Sequence, residues 1–514
     1  MRLTITCVRS ANAPRTSFRK LLIHLETVVA SAETTPIGLN EPPASGEPVV
    51  TRRTWIATVT LLVATFMELM DVTMANVAVP SIRSDIDASY EQVQWVVAGY
   101  ALAFAVMLLT GGRLGDIYGR KRMFLTGLVG FLVTSTLCGV APTAGFLVAS
   151  RVLQGLAAAV MLPQVLASIS VWFPKEQRAA AFGLFGAVTG LGGLTAPLIA
   201  GSLIDADLFG LDWRPIFLIN IPIGIAVFLV ASSVMGESRS SDRLKVDLLG
   251  TLTSAVAVFL IVFPVIQGQE EDWAPWIWVM LALSVPAAAL FLLVERRKTR
   301  LGESTLVDLR LFRIRSFSVG LLVTLIFFGG VTAIAFVLMV FLQGGLGFGP
   351  FKAGVTLIPL ALGLMIGAGL SVKLSKALGR TVLQLGGVIA MAGAIWVGWT
   401  IIDRGNELDL WTIVGPLAGL GVGLGIVVAP LQDFILSGIP ESDAGSASGL
   451  QATMVQMGSA IGVATLGVAL AEFQKGTSFP TSAGRVLYID AAVFAFTALL
   501  VFLYPRRTTG VPKA

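Results

Sequence analysis

Residues 113–123 read RLGDIYGRKRM, and residues 373–383 read KLSKALGRTVL, 260 residues further on. Leu114 matches Leu374, Gly119 matches Gly379 and Arg120 matches Arg380. A second pair has a similar offset. Residues 174–184 read PKEQRAAAFGL and residues 440–450 read PESDAGSASGL, so Pro174, Ala181, Gly183 and Leu184 match Pro440, Ala447, Gly449 and Leu450. All four stretches link long apolar runs, and in both pairs the second loop lies eight loops after the first. The simplest reading is a duplicated unit of six helices, with two more helices inserted between the copies. Duplicated halves around a midplane site are a transporter architecture.

Composition leads to the same class. The chain of 514 residues is 55% apolar and 13% charged, against about 25% charged in soluble domains, and its mean hydropathy is +0.83. A soluble globule has no place to put that much apolar surface. A membrane β-barrel would show short alternating segments instead of unbroken runs. Runs of ~17–25 apolar residues read as spanning helices. Fourteen are found, among them 54–79, 93–112, 274–294 and 487–504. The expected domains are a disordered tail at 1–53, a six-helix bundle at 54–235, an inserted pair with an amphipathic link at 236–315, a second bundle at 316–505 and a tail at 506–514. The segment FRKLLIHLETVVASA (18–32) is broken by His24 and Glu26, and it reads as part of the first tail more than as a leader.

Lysine and arginine counts set the orientation. Of 36 such residues, Arg83, Arg214, Lys352, Arg404, Lys475 and Arg485 fall in one set of alternate loops and Arg151 lies inside a run. The remaining 29 fall in the other set or the tails, which puts both termini in the cytoplasm. The net charge of +5 therefore signals topology, and no basic patch interleaved with aromatics points to nucleic acid. The cysteines, Cys7 and Cys138, form no CxxC, and the lone His24 precedes the first run. Disulfide frameworks, metal sites, haem and histidine-based catalysis have no support, and no Walker P-loop occurs. No metal and no cofactor is expected.

An ionisable group at the bilayer centre costs ~2.5–3.5 kcal/mol on insertion scales, which marks it as functional. Helix 1 holds Glu68 and Asp71, whose i, i+3 spacing puts both on one face. Glu68 lies ~21 Å from Thr54 along the helix axis, near the midplane. Arg151 enters from the opposite side at a depth close to that of Asp71, so a pair is geometrically allowed, with Gln154 one turn further. A carboxylate whose surroundings alternate between a cation and a dry apolar site would load and unload a proton. The plainer reading is a static ion pair. Asp433 lies at the inner end of helix 12, and Glu472 and Asp490 read as solvated residues at the ends of spans. LVDLRLFRIRSF (306–317) reads either as an amphipathic segment on the inner leaflet or as a simple linker. Glycine-rich helix 12 (GPLAGLGVGLG, 415–425) reads as close helix packing.

With these motifs in place, the chain resembles the 14-helix drug:proton antiporter branch of the major facilitator superfamily, the multidrug efflux transporters, over about 54–505. GGRLGDIYGRKRMF (111–124) is similar to the signature of the loop between helices 2 and 3. The resemblance implies that Gly112, Asp116, Gly119, Arg120 and Lys121 form a cytoplasmic latch between the halves. LMDVTMANVAVP (69–80) is similar to the helix 1 signature, with Asp71 at its acidic position. RVLQGLAAAVMLP (151–163) is similar to the helix 4 signature, whose arginine is tied to proton coupling. WRPIFLINIPIG (213–224) is similar to the start of helix 6, with Pro215 where an aromatic is usual, and DLLG (247–250) opens helix 7. Helix 5 carries Gly183, Gly192, Pro197 and Gly201 in register with the antiporter motif, and departs from it at Ala196 and Ala200.

The implied fold is all-α, with two six-helix bundles and two extra helices between them. The implied protein is a secondary active transporter and not an enzyme, a monomer in the cell membrane that exports amphipathic or cationic organic compounds in exchange for protons. Asp71, Glu68 and Arg151 would couple protons, and Glu68 and Gln154 would line the substrate cavity. An exporter dedicated to one endogenous metabolite or lipid, and a sensor or scaffold on a transporter fold, are the alternatives.

Overall fold

The computed structural model describes residues 50–504, apart from 240–245, 269–270, 272 and 437. Almost all of the expected tails therefore lie outside the described residues. Fourteen helices are long and apolar enough to cross a membrane. Three of them are preceded by the short helices Val79–Asp85, Pro215–Leu218 and Pro350–Thr356. The fourteen begin with α1 (Arg52–Val77), α2 (Tyr90–Tyr118), α3 (Arg120–Gly139), α4 (Ala144–Trp172), α5 (Lys175–Asp205), α6 (Asn220–Val234) and α7 (Leu248–Gln267). Then follow α8 (Pro275–Leu301), α9 (Arg315–Val340), α10 (Ile358–Leu378), α11 (Thr381–Arg404), α12 (Leu410–Leu436), α13 (Ala444–Gln474) and α14 (Phe479–Leu500).

Local chemistry sets the helix ends. Thr51, Ser89 and Thr143 cap α1, α2 and α4 by accepting from backbone N–H groups in the first turn, which satisfies donors that have no partner in the helix. In the first repeat pair, Gly119 ends α2 with φ 104° and Gly379 ends α10 with φ 55°. Both take a backbone shape that side chains with a Cβ adopt only at a cost. The repeat thus preserves its one conformationally demanding residue.

Neighbours in sequence pack as α3 on α4, α11 on α12 and α7 on α8, while α2 packs on α4, α1 on α5 and α6, α9 on α13, α10 on α12 and α11 on α14. Gly421 and Gly425 of α12 face α10 so closely that an added Cβ would fall 2.0 Å from Leu360 O and 2.1 Å from Leu364 O. Small residues let the two backbones touch. Two further contacts, α2 on α13 and α5 on α10, join the early helices to the late ones. They are images of each other under the repeat. A Cβ at Gly112 would lie 2.9 Å from Gly449 Cα, and one at Gly183 would lie 3.2 Å from Val372 Cγ2. Gly183 is the repeat partner of Gly449, and Val372 stands at the position equivalent to Gly112.

Three ends differ from the hydropathy reading. Helix α2 runs six residues past 112 to Tyr118, so Arg113 and Asp116 lie on its last turns and the expected loop shrinks to Gly119. Asp116 is bonded to protein groups there, and Arg113 lies beside Asp116 and Asp443. Helix α8 continues to Leu301. Helix α14 begins at Phe479, well before 487, because Ser482 is buried and bonds back to Ser478 O. That shift moves Asp490 from a span end to mid-helix, where it is fully buried, so its expected solvation is wrong. Glu472 is exposed and pairs with Lys475 at 2.7 Å. Asp433 is half-buried. In the stretch 306–317, Leu306, Val307 and Leu311 are buried in protein, while Phe312 and the Arg310 side chain are exposed.

Candidate functional site

Five helices bring polar groups to one sealed point. Asp71 of α1 is 1% exposed and Arg151 of α4 is 0% exposed. Arg151 donates from Nη1 to Asp71 Oδ2 at 2.5 Å and to Gln154 Oε1 at 2.6 Å, and from Nε to Val96 O at 3.1 Å. Gln154 Nε2 and Asn220 Nδ2 donate to Asp71 Oδ1 at 3.0 and 2.8 Å. Asn220, at the start of α6, also donates to Ser135 Oγ of α3, whose hydroxyl donates to Phe217 O. The guanidinium lies 4.3 Å from the Tyr100 ring centroid and 5.5 Å from that of Phe217. The Cys138 thiol donates to Gln154 Oε1 at 3.6 Å.

This arrangement answers the energetic problem of a buried ion pair. Two desolvated charges are tolerated only when their geometry is good and their remaining hydrogen-bonding positions are filled. The Asp71 carboxylate accepts three bonds, one of them charge-assisted. Glu68, one turn earlier on α1, is 3% exposed and accepts from Tyr100 Oη at 3.0 Å. Tyr100 thus touches Glu68 with its hydroxyl and Arg151 with its ring face, which links the two acids through one side chain. Glu68 and Gln154, expected to line a substrate cavity, are closed off in this conformation by Tyr100 and Arg151.

The second cluster sits where α2 meets α13. Asp116 Oδ1 accepts from Gly445 N and Oδ2 from Ser446 N, both at 2.9 Å, and Arg120 donates to Oδ1 at 3.1 Å. A carboxylate at the first turn of α13 satisfies unpaired amides and meets the positive end of the helix dipole. Arg113 lies 3.8 Å from Asp116 and 3.5 Å from Asp443, which precedes α13. Ser446 Oγ donates to Leu306 O, so the 302–314 segment is tied to the same point. Nearby, burial opposes charge on Asp308, but hydrogen bonds from the side chain and backbone of Arg310 hold its carboxyl below the usual range.

The latch motif therefore divides. Gly112 and Asp116 reach α13. Lys121 donates to Ser232 O, and its backbone N–H donates to Glu237 Oε1. Arg120 N–H donates to Ser238 O, and Gly119 leaves room for the Glu237 carboxylate. The part of the motif after Asp116 thus anchors the segment following α6. In α5, Gly183 faces α10 and Gly192 faces Leu69 of α1, while Pro197 meets Gly354, just before α10. Nothing lies within 4 Å of where a Cβ on Gly201 would stand, so close packing does not extend to it.

Several site residues lacked a signal in the sequence. Tyr100, Ser135 and Asn220 are neutral, so they do not mark a span as unusual. Asn220 is the exception in part, as the one amide within the 213–224 motif. Arg113, Ser446 and Glu237 could be assigned only once their distant partners were placed.

Residues 61–463 match the family model described as the Major Facilitator Superfamily. The chain is 42% identical over 425 residues to the "Probable actinorhodin transporter" of Streptomyces coelicolor (strain ATCC BAA-471 / A3(2) / M145), covering 82% of this chain and 73% of that one. It is 33% identical over 453 residues to the "Tetracenomycin C resistance and export protein" of Streptomyces glaucescens, covering 87% and 80%. The fold is similar to that of the proton:xylose symporter XylE, with a TM-score of 0.62 at 13% identity over 88% of this chain and 95% of that one. This chain belongs to the Major Facilitator Superfamily: it is a multi-pass membrane transporter, not an enzyme.

Proposed function

We propose that this protein is a proton-coupled antiporter that exports amphipathic or cationic organic compounds by alternating access. The observation that carries the reading is the buried Asp71–Arg151 pair with Glu68 one turn away on the same helix. Membrane-buried charges mark coupling paths more often than scaffolding. The two relatives, one named a transporter and one a resistance and export protein, support outward movement of organic small molecules.

In this reading the bundles at 54–235 and 316–505 rock about the midplane, and 236–315 is an insertion. The basic loops put both termini and the Asp116 latch in the cytoplasm, and the protein sits as a monomer in the cell membrane. The α2–α13 and α5–α10 contacts then describe a state closed on the cytoplasmic side. Protonation of the helix 1 acids biases the two states differently, as any driver must.

Everted membrane vesicles with an imposed pH gradient test this with a panel of lipophilic cations. Uptake into the vesicles should follow the gradient and stop when nigericin collapses it. Uptake of none of the panel, alongside gradient-driven transport of one endogenous metabolite, would replace the substrate class. Uptake that survives collapse of the gradient would remove proton coupling.

A further inference from the structure

Helices α9, α13 and α14 enclose a cleft of about 210 Å³. Its walls are apolar, formed mainly by Leu325, Ile326, Ile461, Leu466 and Val493, and exposed Thr465 stands at its edge. At its floor lies Asp490, 0% exposed, and neither carboxylate oxygen has a hydrogen-bond partner. Asp490 is 11 residues into α14, or ~17 Å at the helical rise, so it stands near mid-span. The space is built for the carboxylate. A Cβ on Gly330 would fall 2.8 Å from Asp490 Oδ1, so glycine at that place leaves the acid its room. Among the described residues, no charged side chain of α9, α11 or α13 neighbours it in the cleft. Arg485 of α14 is exposed and lies over the Phe473 ring. Tyr488 faces Gly398 of α11.

Every other buried acid described above has a donor beside it. Asp490 has a cavity. A bare carboxylate is costly in apolar surroundings, and either a proton or a cation relieves the cost. An engineered apolar cavity of about 150 Å³ takes up benzene, so this cleft has room for one ring and a small charged head. We propose that the α9–α13–α14 cleft is a binding site for a single lipophilic cation, an ammonium with a compact aromatic or aliphatic body, whose charge pairs with Asp490. In the empty cleft Asp490 holds a proton. When the cation enters, the O–H bond breaks and the proton passes to the bulk solvent, so the net charge in the cleft does not change. The site is separate from the Asp71 cluster, which joins α1, α2, α3, α4 and α6, and it stands whether or not that cluster couples transport.

The test uses the full chain in phosphatidylcholine nanodiscs, with benzyltrimethylammonium as the probe and a pH indicator in weak buffer. The wild type should bind the probe and release a proton for each cation bound. Asp490→Asn keeps the side-chain shape and should weaken binding at least about tenfold, a clear shift in Kd, with no proton release. Gly330→Ala keeps the acid but fills its space, and should weaken binding too. Neopentylbenzene, the neutral counterpart, should release no proton from any of them. Glu472→Gln, at an exposed acid of α13 outside the cleft, should keep both binding and release. Unchanged affinity in Asp490→Asn would overturn the proposal. So would loss of binding in Asp71→Asn with retention in Asp490→Asn, which would leave the Asp71 cluster as the cation site.

Discussion

Arg151→Ala is expected to cost about 3–5 kcal/mol of stability, because it leaves Asp71 as a buried charge without its cation. Gln154 and Asn220 still donate to that carboxylate, but amides do not replace a guanidinium at 2.5 Å. Thermal unfolding in detergent should show a large drop in midpoint. The paired variant Asp71→Leu with Arg151→Met removes both charges and keeps much of the volume. Replacing a buried pair by apolar residues is often neutral or stabilising, so the double variant should regain most of the midpoint. It should not regain gradient-driven transport. Recovery of stability without transport would separate packing from coupling. A single variant as stable as the wild type would mean that the pair carries little energy. A double variant that transports normally would make it a static contact.

The second large effect is expected at the latch. A Cβ on Gly112 would lie 2.2 Å from Gly445 O and 2.9 Å from Gly449 Cα, and both obstacles are backbone. Gly112→Val therefore opposes the closed contact between α2 and α13. Overpacking costs about 1–3 kcal/mol, enough to shift the balance of states roughly five- to 150-fold. Ser446 is fully buried at this contact. A Ser446→Cys reporter should react slowly with a membrane-impermeant maleimide, and Gly112→Val should speed that reaction by the same factor. Asp116→Ala should speed it as well, since it removes the acceptor for Gly445 N and Ser446 N without adding bulk. Equal labelling rates in all three backgrounds would show that the contact does not gate access.

Charged residues inside apolar runs were the most legible part of the site. Glu68, Asp71 and Arg151 stand out because a charge in a span has few explanations, and helical spacing gave their depths. Their neutral partners did not stand out. Asn220, Tyr100 and Ser135 cost little to bury, so the sequence around them reads as ordinary span. Hydropathy windows also end where charge begins, although helices do not. Hence α2 reads short, with Arg113 and Asp116 placed in a loop when both lie on a helix that docks against α13. The same effect moved the start of α14 and put Asp490 in solvent. Contacts such as Ser446 with Asp116 join residues 330 apart, and no local pattern reports them. The repeat did report one thing accurately. Gly119 and Gly379 align in sequence and both end helices with positive φ.

The most direct measurement follows protons, with the purified chain reconstituted in liposomes under a weak internal buffer. Addition of a transported lipophilic cation outside wild-type liposomes should draw protons out of the lumen, against the direction of the cation, in proportion to cation moved. In Asp71→Asn the cation should still bind, and the coupled proton signal should vanish. Glu68→Gln then tells which acid exchanges the proton: loss in that variant too assigns the exchange to both. A coupled signal of wild-type size in Asp71→Asn and Glu68→Gln alike would contradict proton coupling by the helix 1 acids.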